Sequence, residues 1–330
     1  MKKKIMTLTL IIGLALSSIF LNKVFPIISS SVFAILIGML LQGLFKKDSA
    51  YKEVVDFTSK KALRLAIILM GLGLSIFQVF EVGKISLVVM VFTLFSAFGG
   101  GYLIGKLFNM NWELSSLISA GTGICGGSAI VAIAPAIEAE DKDIAYAISA
   151  TFIFDILMII AFPLMGHYFN MSSMGYGLWT GTAINDTSSV VAAGYAFSHE
   201  AGQYALIVKL TRTLSIVPAV ILFSMINSRV KNKGKSNTKK FKFTEVFPTF
   251  ILFFLGMVLI NSLGILSPSF IHYSSVIAKF VMLMALASIG LKTNFKEVSK
   301  LGIKPMLHGF IISLLVVVVS FVVQLFLHQI

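Results

Sequence analysis

The chain has 330 residues, 57% of them hydrophobic, with a mean hydropathy of +0.93 and 12% charged residues; a soluble domain carries roughly 25% charged residues, so a soluble globular fold is excluded. The formal net charge of +13 does not point to nucleic acid, because the basic residues lie in connectors between apolar runs and not on one folded face. The single cysteine, Cys125, excludes an internal disulfide and any multi-cysteine metal site, and no cofactor or metal is expected.

Apolar runs of about 18 residues or more can cross a ~30 Å hydrocarbon core, and they recur nearly end to end. The first, in MKKKIMTLTLIIGLALSSIFL, has the basic start and apolar core of a signal peptide. It lacks a convincing small-residue cleavage site and another span follows directly, so it is expected to stay as the first helix. Predicted spans cover 5–21, 26–45, 62–79, 84–107, 114–138, 143–168, 176–198, 203–227, 243–264, 273–291 and 304–327. This gives an all-α polytopic membrane protein of about 11 transmembrane helices in a single domain, 1–330, with a basic linker at 228–242 between two halves.

Lysine and arginine set the orientation, since short positively charged loops stay in the cytoplasm. Lys2, Lys3 and Lys4 precede the first span; Lys46, Lys47, Lys52, Lys60, Lys61 and Arg64 follow the second. Arg229, Lys231, Lys233, Lys235, Lys239, Lys240 and Lys242 fill the longest linker, and Lys292, Lys296, Lys300 and Lys304 precede the last span. With eleven spans these clusters share one side, which places the N-terminus inside and the C-terminus outside a bacterial plasma membrane, and puts the acidic connector Glu138, Glu140, Asp141, Asp143 on the other side. Contact with lipid headgroups accounts for most of these lysines.

The fifth span holds GTGICGGSAIVA at 121–132, and the seventh holds GTAINDTSSVVA at 181–192; Gly, Thr, Ile, Ser, Val and Ala recur at an offset of 60. A weaker likeness sets LMGLGLSIF at 69–77 beside LASIGLKTNF at 286–295. The weaker pair runs in opposite directions by this topology, as inverted repeats require, while the glycine-rich pair, as simple spans, runs the same way. A helix breaks in mid-membrane only where protein or a water-lined cavity satisfies its backbone. Thr122, Gly123, Cys125, Gly126 and Gly127 supply such a break, and Ser128 can restart a helix as its N-cap. The restarted helix would aim free N–H groups and its positive end at an anion. Asn185, Asp186, Thr187, Ser188 and Ser189 add side-chain oxygens suited to a cation, a proton or a hydrogen-bonding substrate. Close packing of small residues is the alternative explanation.

Asp155 and Asp186 lie midway along their spans, where an ionisable residue costs at least ~2.5 kcal/mol and is a functional candidate. Lys209 and Arg212, three apart, share a helical face with Thr211 between them. Arg212 lies about nine residues in, roughly 13 Å deep. A deep guanidinium fork suits an oxyanion, and Asp155 or Asp186 can take the coupling proton or help hold Na+. A structural ion pair, Asp155 with Arg212, stays open as the alternative.

At these residues the chain resembles the sulfate exporter family of YeiH-type bacterial inner-membrane proteins. The likeness lies in GTGICGGSAIVAIAPAI, the acidic connector and the span with Asp155, GTAINDTSSVVAAG, and KLTR at 209–212. That family is grouped with the bile acid, arsenite, riboflavin and auxin transporters. The resemblance therefore implies an inverted-repeat transporter fold, with discontinuous helices crossing at a midplane site. The long lysine-rich linker departs from the family pattern.

The expected function is secondary transport of a small anionic substrate, such as sulfate or a sulfonate, coupled to H+ or Na+ by alternating access. No Walker A pattern occurs, which argues against direct ATP coupling by this chain. An anion channel is the nearest alternative. A membrane-embedded enzyme using Cys125 with a histidine base is disfavoured, because all five histidines lie near span ends or in connectors. Association as a homodimer stays open.

Overall fold

A computed structural model describes residues 2–25, 30–43, 48–231, 249–292 and 302–329. In chain order the helices are α1 (Lys2–Val24), α2 (Ser30–Leu41), α3 (Ser49–Phe57), α4 (Leu63–Met70), α5 (Ile76–Leu107), α6 (Trp112–Gly123), α7 (Gly127–Ile133) and α8 (Asp141–Tyr168). They continue as α9 (Ser173–Ala183), α10 (Thr187–Phe197), α11 (His199–Thr213), α12 (Ile216–Lys231), α13 (Phe250–Ser262), α14 (Pro268–Lys292) and α15 (Ile303–Phe326). No strand occurs among the described residues. Among the described residues six stretches are long and apolar enough to cross a membrane: Lys3–Val24, Ile76–Leu107, Lys142–Tyr168, His199–Asn227, Pro268–Lys292 and Ile303–Phe326. Large apolar side chains such as Leu40, Phe77 and Phe95 are about four-fifths exposed, an exposure that water would penalise and lipid does not. The protein is a multi-pass membrane protein.

The helices gather into two compact units, and each draws residues from both sides of the basic linker at 228–242. Residues 228–231 of that linker continue α12, and 232–242 lie outside the described residues.

The first unit holds α1 to α4, α13, α14 and the segment Tyr195–Gln203. Asp48 caps α3 by accepting from the Tyr51 N–H at 2.9 Å. α3 then passes through a π turn, Thr58–Ala62, into α4. A 3-10 turn, Gly71–Gly73, and the extended Leu74 end this segment. α5 therefore starts at Ile76, not near residue 84, and the boundary predicted at 80–83 sits at 74–75. Two crossings explain the glycines of the weaker repeat. Any Cβ on Gly290 would run into the Ile35 carbonyl of α2, and one on Gly71 would lie 2.7 Å from the Phe254 carbonyl of α13. Residues 293–295 of that repeat lie outside the described residues.

The second unit holds the rest of α5 and α6 to α9, α10 up to Gly194, α11 from Tyr204, α12 and α15. The contacts within it fix the direction of every helix. Asn111, just before α6, donates to Asp143 at the start of α8 (2.8 Å), and a Cβ on Gly121 would lie 3.0 Å from Thr151 of α8. α6 and α8 thus run the same way, although the predicted spans 114–138 and 143–168 require opposite directions. The difference lies in α7, which folds back: Ile130 packs on Gly121, and the chain returns to the face it entered from. α9 and α10 do likewise, since the Tyr176 hydroxyl near the start of α9 donates to the Ala193 carbonyl near the end of α10 (3.1 Å).

Segments 114–138 and 176–198 are consequently helical hairpins and not spans. α6 has 12 residues and α9 has 11, so at 1.5 Å per residue each reaches roughly 17 Å, about half of a ~30 Å core. The bases of the hairpins lie toward opposite ends of α8. α8 starts beside the base of the first, and its far end carries Phe162 and Phe169 against Trp179 of the second. The glycine-rich repeats therefore do run in opposite directions. The acidic connector moves with this correction. Asn227 of α12 donates to the Ala136 carbonyl (3.3 Å), and His308 of α15 contacts Ser115 (3.1 Å). Glu138 to Asp143 thus share a face with Arg229 and Lys304 and do not lie opposite the basic residues.

Candidate functional site

The two hairpin tips meet. Gly126, with φ 65° and ψ −136°, turns the first chain between α6 and α7, a backbone region that is essentially glycine-only. Its missing Cβ would lie 3.2 Å from the Asp186 Cβ and 3.3 Å from the Asp186 Cα at the turn of the second hairpin. Glycine is required here twice, by its dihedrals and by this close approach.

Each tip leaves a helix C-terminus with orphan carbonyls and a helix N-terminus with orphan N–H groups. Two cations one turn apart on α11 satisfy the carbonyls. Lys209 Nζ donates to the Ile124 carbonyl (2.8 Å) and the Ile184 carbonyl (3.0 Å). Arg212 donates through Nε to the Gly123 carbonyl (2.6 Å), through one terminal nitrogen to the Thr122 carbonyl (2.7 Å), and through the other to the Thr182 carbonyl. Thr122 with Thr182 and Ile124 with Ile184 are matched positions of the sequence repeat. One cation thus binds both copies of each carbonyl.

The N–H groups are met by carboxylates. Asp155 of α8 accepts from the Asn185 N–H (2.9 Å) and the Asp186 N–H (3.0 Å), and Asp186 accepts from the Ser188 N–H (2.8 Å) and from its hydroxyl. Three of the four helix ends at the tips thereby receive charged partners of the sign their dipoles require. The fourth, the start of α7 after Gly126, has no side-chain cap.

The site residues named from sequence fall into three groups. Thr122, Gly123, Cys125, Gly126, Asn185, Asp186, Asp155, Lys209 and Arg212 come together at the tips. Gly127, Ser128, Thr187, Ser188 and Ser189 start the returning helices; Ser128 is exposed, Gly127, Asp186 and Thr187 are half-buried, and Ser188 and Ser189 are buried. Thr211 points elsewhere, donating to the Ile207 carbonyl of its own helix (3.0 Å).

The guanidinium fork expected to hold an oxyanion is taken up by three carbonyls. The ion pair between Asp155 and Arg212 does not form either: the nitrogens of Arg212 lie on carbonyls and the oxygens of Asp155 on backbone N–H groups. Two buried side-chain oxygens near the tips, Thr122 Oγ1 and Asn185 Oδ1, have no partner among the described residues. No cluster of three His, Cys, Asp or Glu side chains suited to a metal occurs among the described residues.

The sequence reading missed the polar face of α15. Ser313 accepts from Asn185 Nδ2 (3.3 Å), Ser320 bonds Thr182 (2.5 Å), and Gln324 donates to Ser320 (3.1 Å). These residues stand seven and four apart within a strongly apolar span, a spacing that places them on one helical face.

Known proteins match along almost the whole chain. A "UPF0324 membrane protein" of Clostridium tetani is 61% identical, covering 96% of this chain and 95% of that protein. The "UPF0324 membrane protein SpyM3_0740" of Streptococcus pyogenes serotype M3 is 39% identical over 98% and 97%, and the "UPF0324 membrane protein FN0533" of Fusobacterium nucleatum is 36% identical over 94% of each. No solved structure matches. The family described as "Conserved hypothetical protein 698" matches residues 6–309, and this chain belongs to that family of membrane proteins.

Proposed function

We propose that the chain is a secondary active transporter of a small anion such as sulfate or a sulfonate, coupled to H+ or Na+ and working by alternating access. The reading rests on one observation: two sequence-related hairpins meet tip to tip, with four ionisable side chains gathered at their broken ends. Broken helices and buried charges are both costly in a bilayer and are tolerated where protein or a water-filled cavity satisfies them. Inverted repeats with discontinuous helices at the midplane are a common transporter plan. In this reading nine segments cross the membrane and the two hairpins enter it from opposite faces, with the N-terminus in the cytoplasm and the C-terminus outside.

The residue roles differ from those the sequence suggests. Lys209 and Arg212 position the tips through backbone carbonyls. The substrate meets the accessible side, where Ser128 is exposed, Gly127 and Thr187 are half-buried, and the start of α7 is uncapped. Asp155 and Asp186 supply the acidic groups for the coupling ion. Transport, not catalysis, is the activity assigned, and Cys125, 1% exposed, is a packing residue of the turn.

A thermal-shift screen of detergent-purified protein against sulfate, sulfite, taurine and small carboxylates tests this, since a ligand that binds the native state raises its melting temperature. One of these anions is expected to stabilise the parent, with the shift lost in Ser128→Ala. Equal stabilisation of parent and variant would remove the site from the tips.

A further inference from the structure

Lys209 differs from the other three charged residues at the tips. It is fully buried, and the two acceptors of its Nζ are the carbonyls of Ile124 and Ile184, one from each hairpin. An ammonium group has three N–H donors, so both ligands are neutral and one donor is left over. No carboxylate pairs with it among the described residues. A second cation, Arg212, sits one turn further along the same helix with its nitrogens on three carbonyls. A guanidinium keeps its proton in proteins, whereas an amine can release one; of this like-charged pair, Lys209 is the member able to shed its charge. Two carbonyl oxygens at the negative ends of two helices make a ligand set for a monovalent cation, and the chain supplies that cation itself.

We propose that Lys209 is a tethered cation in a site built jointly by the two hairpins and that it carries the coupling proton, so that the coupling ion is H+ and not Na+. This rests on the transporter reading above. In the step itself an N–H bond of Lys209 breaks and its electron pair stays on Nζ. The proton forms an O–H bond on water entering at the half-buried face of Asp186 and Thr187, and Asp155 and Asp186 supply the opposite charge beside its path. The charged and titratable groups facing Lys209 are Arg212 on its own helix, Cys125 from the turn between α6 and α7, Asp155 from α8, and Asp186 from the turn between α9 and α10. Loss of the charge removes one of the two cations that hold both hairpin ends, while Arg212 keeps its charge and its carbonyls.

Two measurements decide the matter. In proteoliposomes, exchange of labelled sulfate or taurine at equal pH on both sides reads transport without coupling, and accumulation after an imposed pH step reads coupling. Lys209→Arg, which keeps a charge it cannot release, is expected to lose pH-driven accumulation, while exchange measured beside it falls by a smaller factor. An imposed Na+ gradient should drive nothing in the parent. Retention of pH-driven accumulation by Lys209→Arg, or Na+-driven accumulation in the parent, overturns the proposal.

The second measurement needs no substrate. Lys209→Ala opens a cation-sized gap between the two carbonyls, and methylammonium should raise its melting temperature where N-methylglucamine at equal ionic strength does not; the parent should respond to neither. Absence of that rescue overturns the proposal. Failure of exchange for both solutes would instead count against the substrates assigned under the transporter reading, and the methylammonium result would still decide the site. Should Lys209→Ala not fold, Lys209→Gln, which keeps N–H donors without charge, must lose pH-driven accumulation, and retention of it overturns the proposal.

Discussion

Gly126 and Arg212 show how backbone geometry, and not side-chain chemistry, shapes the tips. An alanine at 126 would sit in an unfavourable backbone region and press its Cβ on Asp186, so Gly126→Ala is expected to cost ~1–3 kcal/mol from the dihedrals alone, read as a lowered melting temperature. Gly256, by contrast, has open space around it and no left-handed backbone, and Gly256→Ala should be tolerated. Arg212→Gln strips partners from buried carbonyls, each worth about 1–3 kcal/mol when left unsatisfied, and should be among the most destabilising substitutions in the chain. The ion pair of Asp56 with Lys292 is a useful contrast, because both side chains are about half exposed. Its hydrogen bond to Lys292 holds the Asp56 carboxyl below its ordinary value. Its contribution is therefore present above that ordinary value, near pH ~3.9, and fades as pH falls through the lowered one. Asp56→Asn should cost no more than ~1 kcal/mol and less still in high salt, which a denaturation series at two salt concentrations checks. Sequence alone singled out Arg212. It could not show the partners, because a backbone carbonyl freed by a broken helix leaves no mark in residue identity.

At the scale of the element, the duplicated glycine-threonine segments marked both breaks to within a few residues: α6 ends at Gly123 and α7 starts at Gly127, while α9 ends at Ala183 and α10 starts at Thr187. What the sequence did not reveal is that the chain turns back at each. Segment 114–138 is long enough to span a ~30 Å core if straight, and hydropathy has no term for direction, so a hairpin and a crossing read alike. The Asn111–Asp143 contact is equally invisible in the sequence. The hairpin geometry makes its own prediction. In a Cys125→Ala background, a cysteine at Ser128, on the exposed start of α7, should react with a small membrane-impermeant thiol reagent. A cysteine at Val190, fully buried in α10, should not. Unreactive cysteines at both positions would mean that the tips are closed to water.

For the molecule as a whole, composition sufficed for the class, and the lysine clusters organised the spans, but the parity of the glycine repeats conflicted with eleven simple crossings. Turning two spans into hairpins removes the conflict without moving the lysines, because each hairpin begins and ends on the same face. One group does change sides. As the start of α8 lies beside the base of α6 and the end of α12 beside Ala136, Glu138 and Glu140 belong on the face of Arg229 and Lys304, which the positive-inside rule assigns to the cytoplasm. Single cysteines at Glu140 and at Ser172, in the Cys125→Ala background, separate the alternatives in right-side-out vesicles. An impermeant reagent added outside should label the cysteine at 172 and spare the one at 140 until the membrane is permeabilised. Eleven straight crossings make a different prediction, with position 140 labelled from outside and position 172 protected.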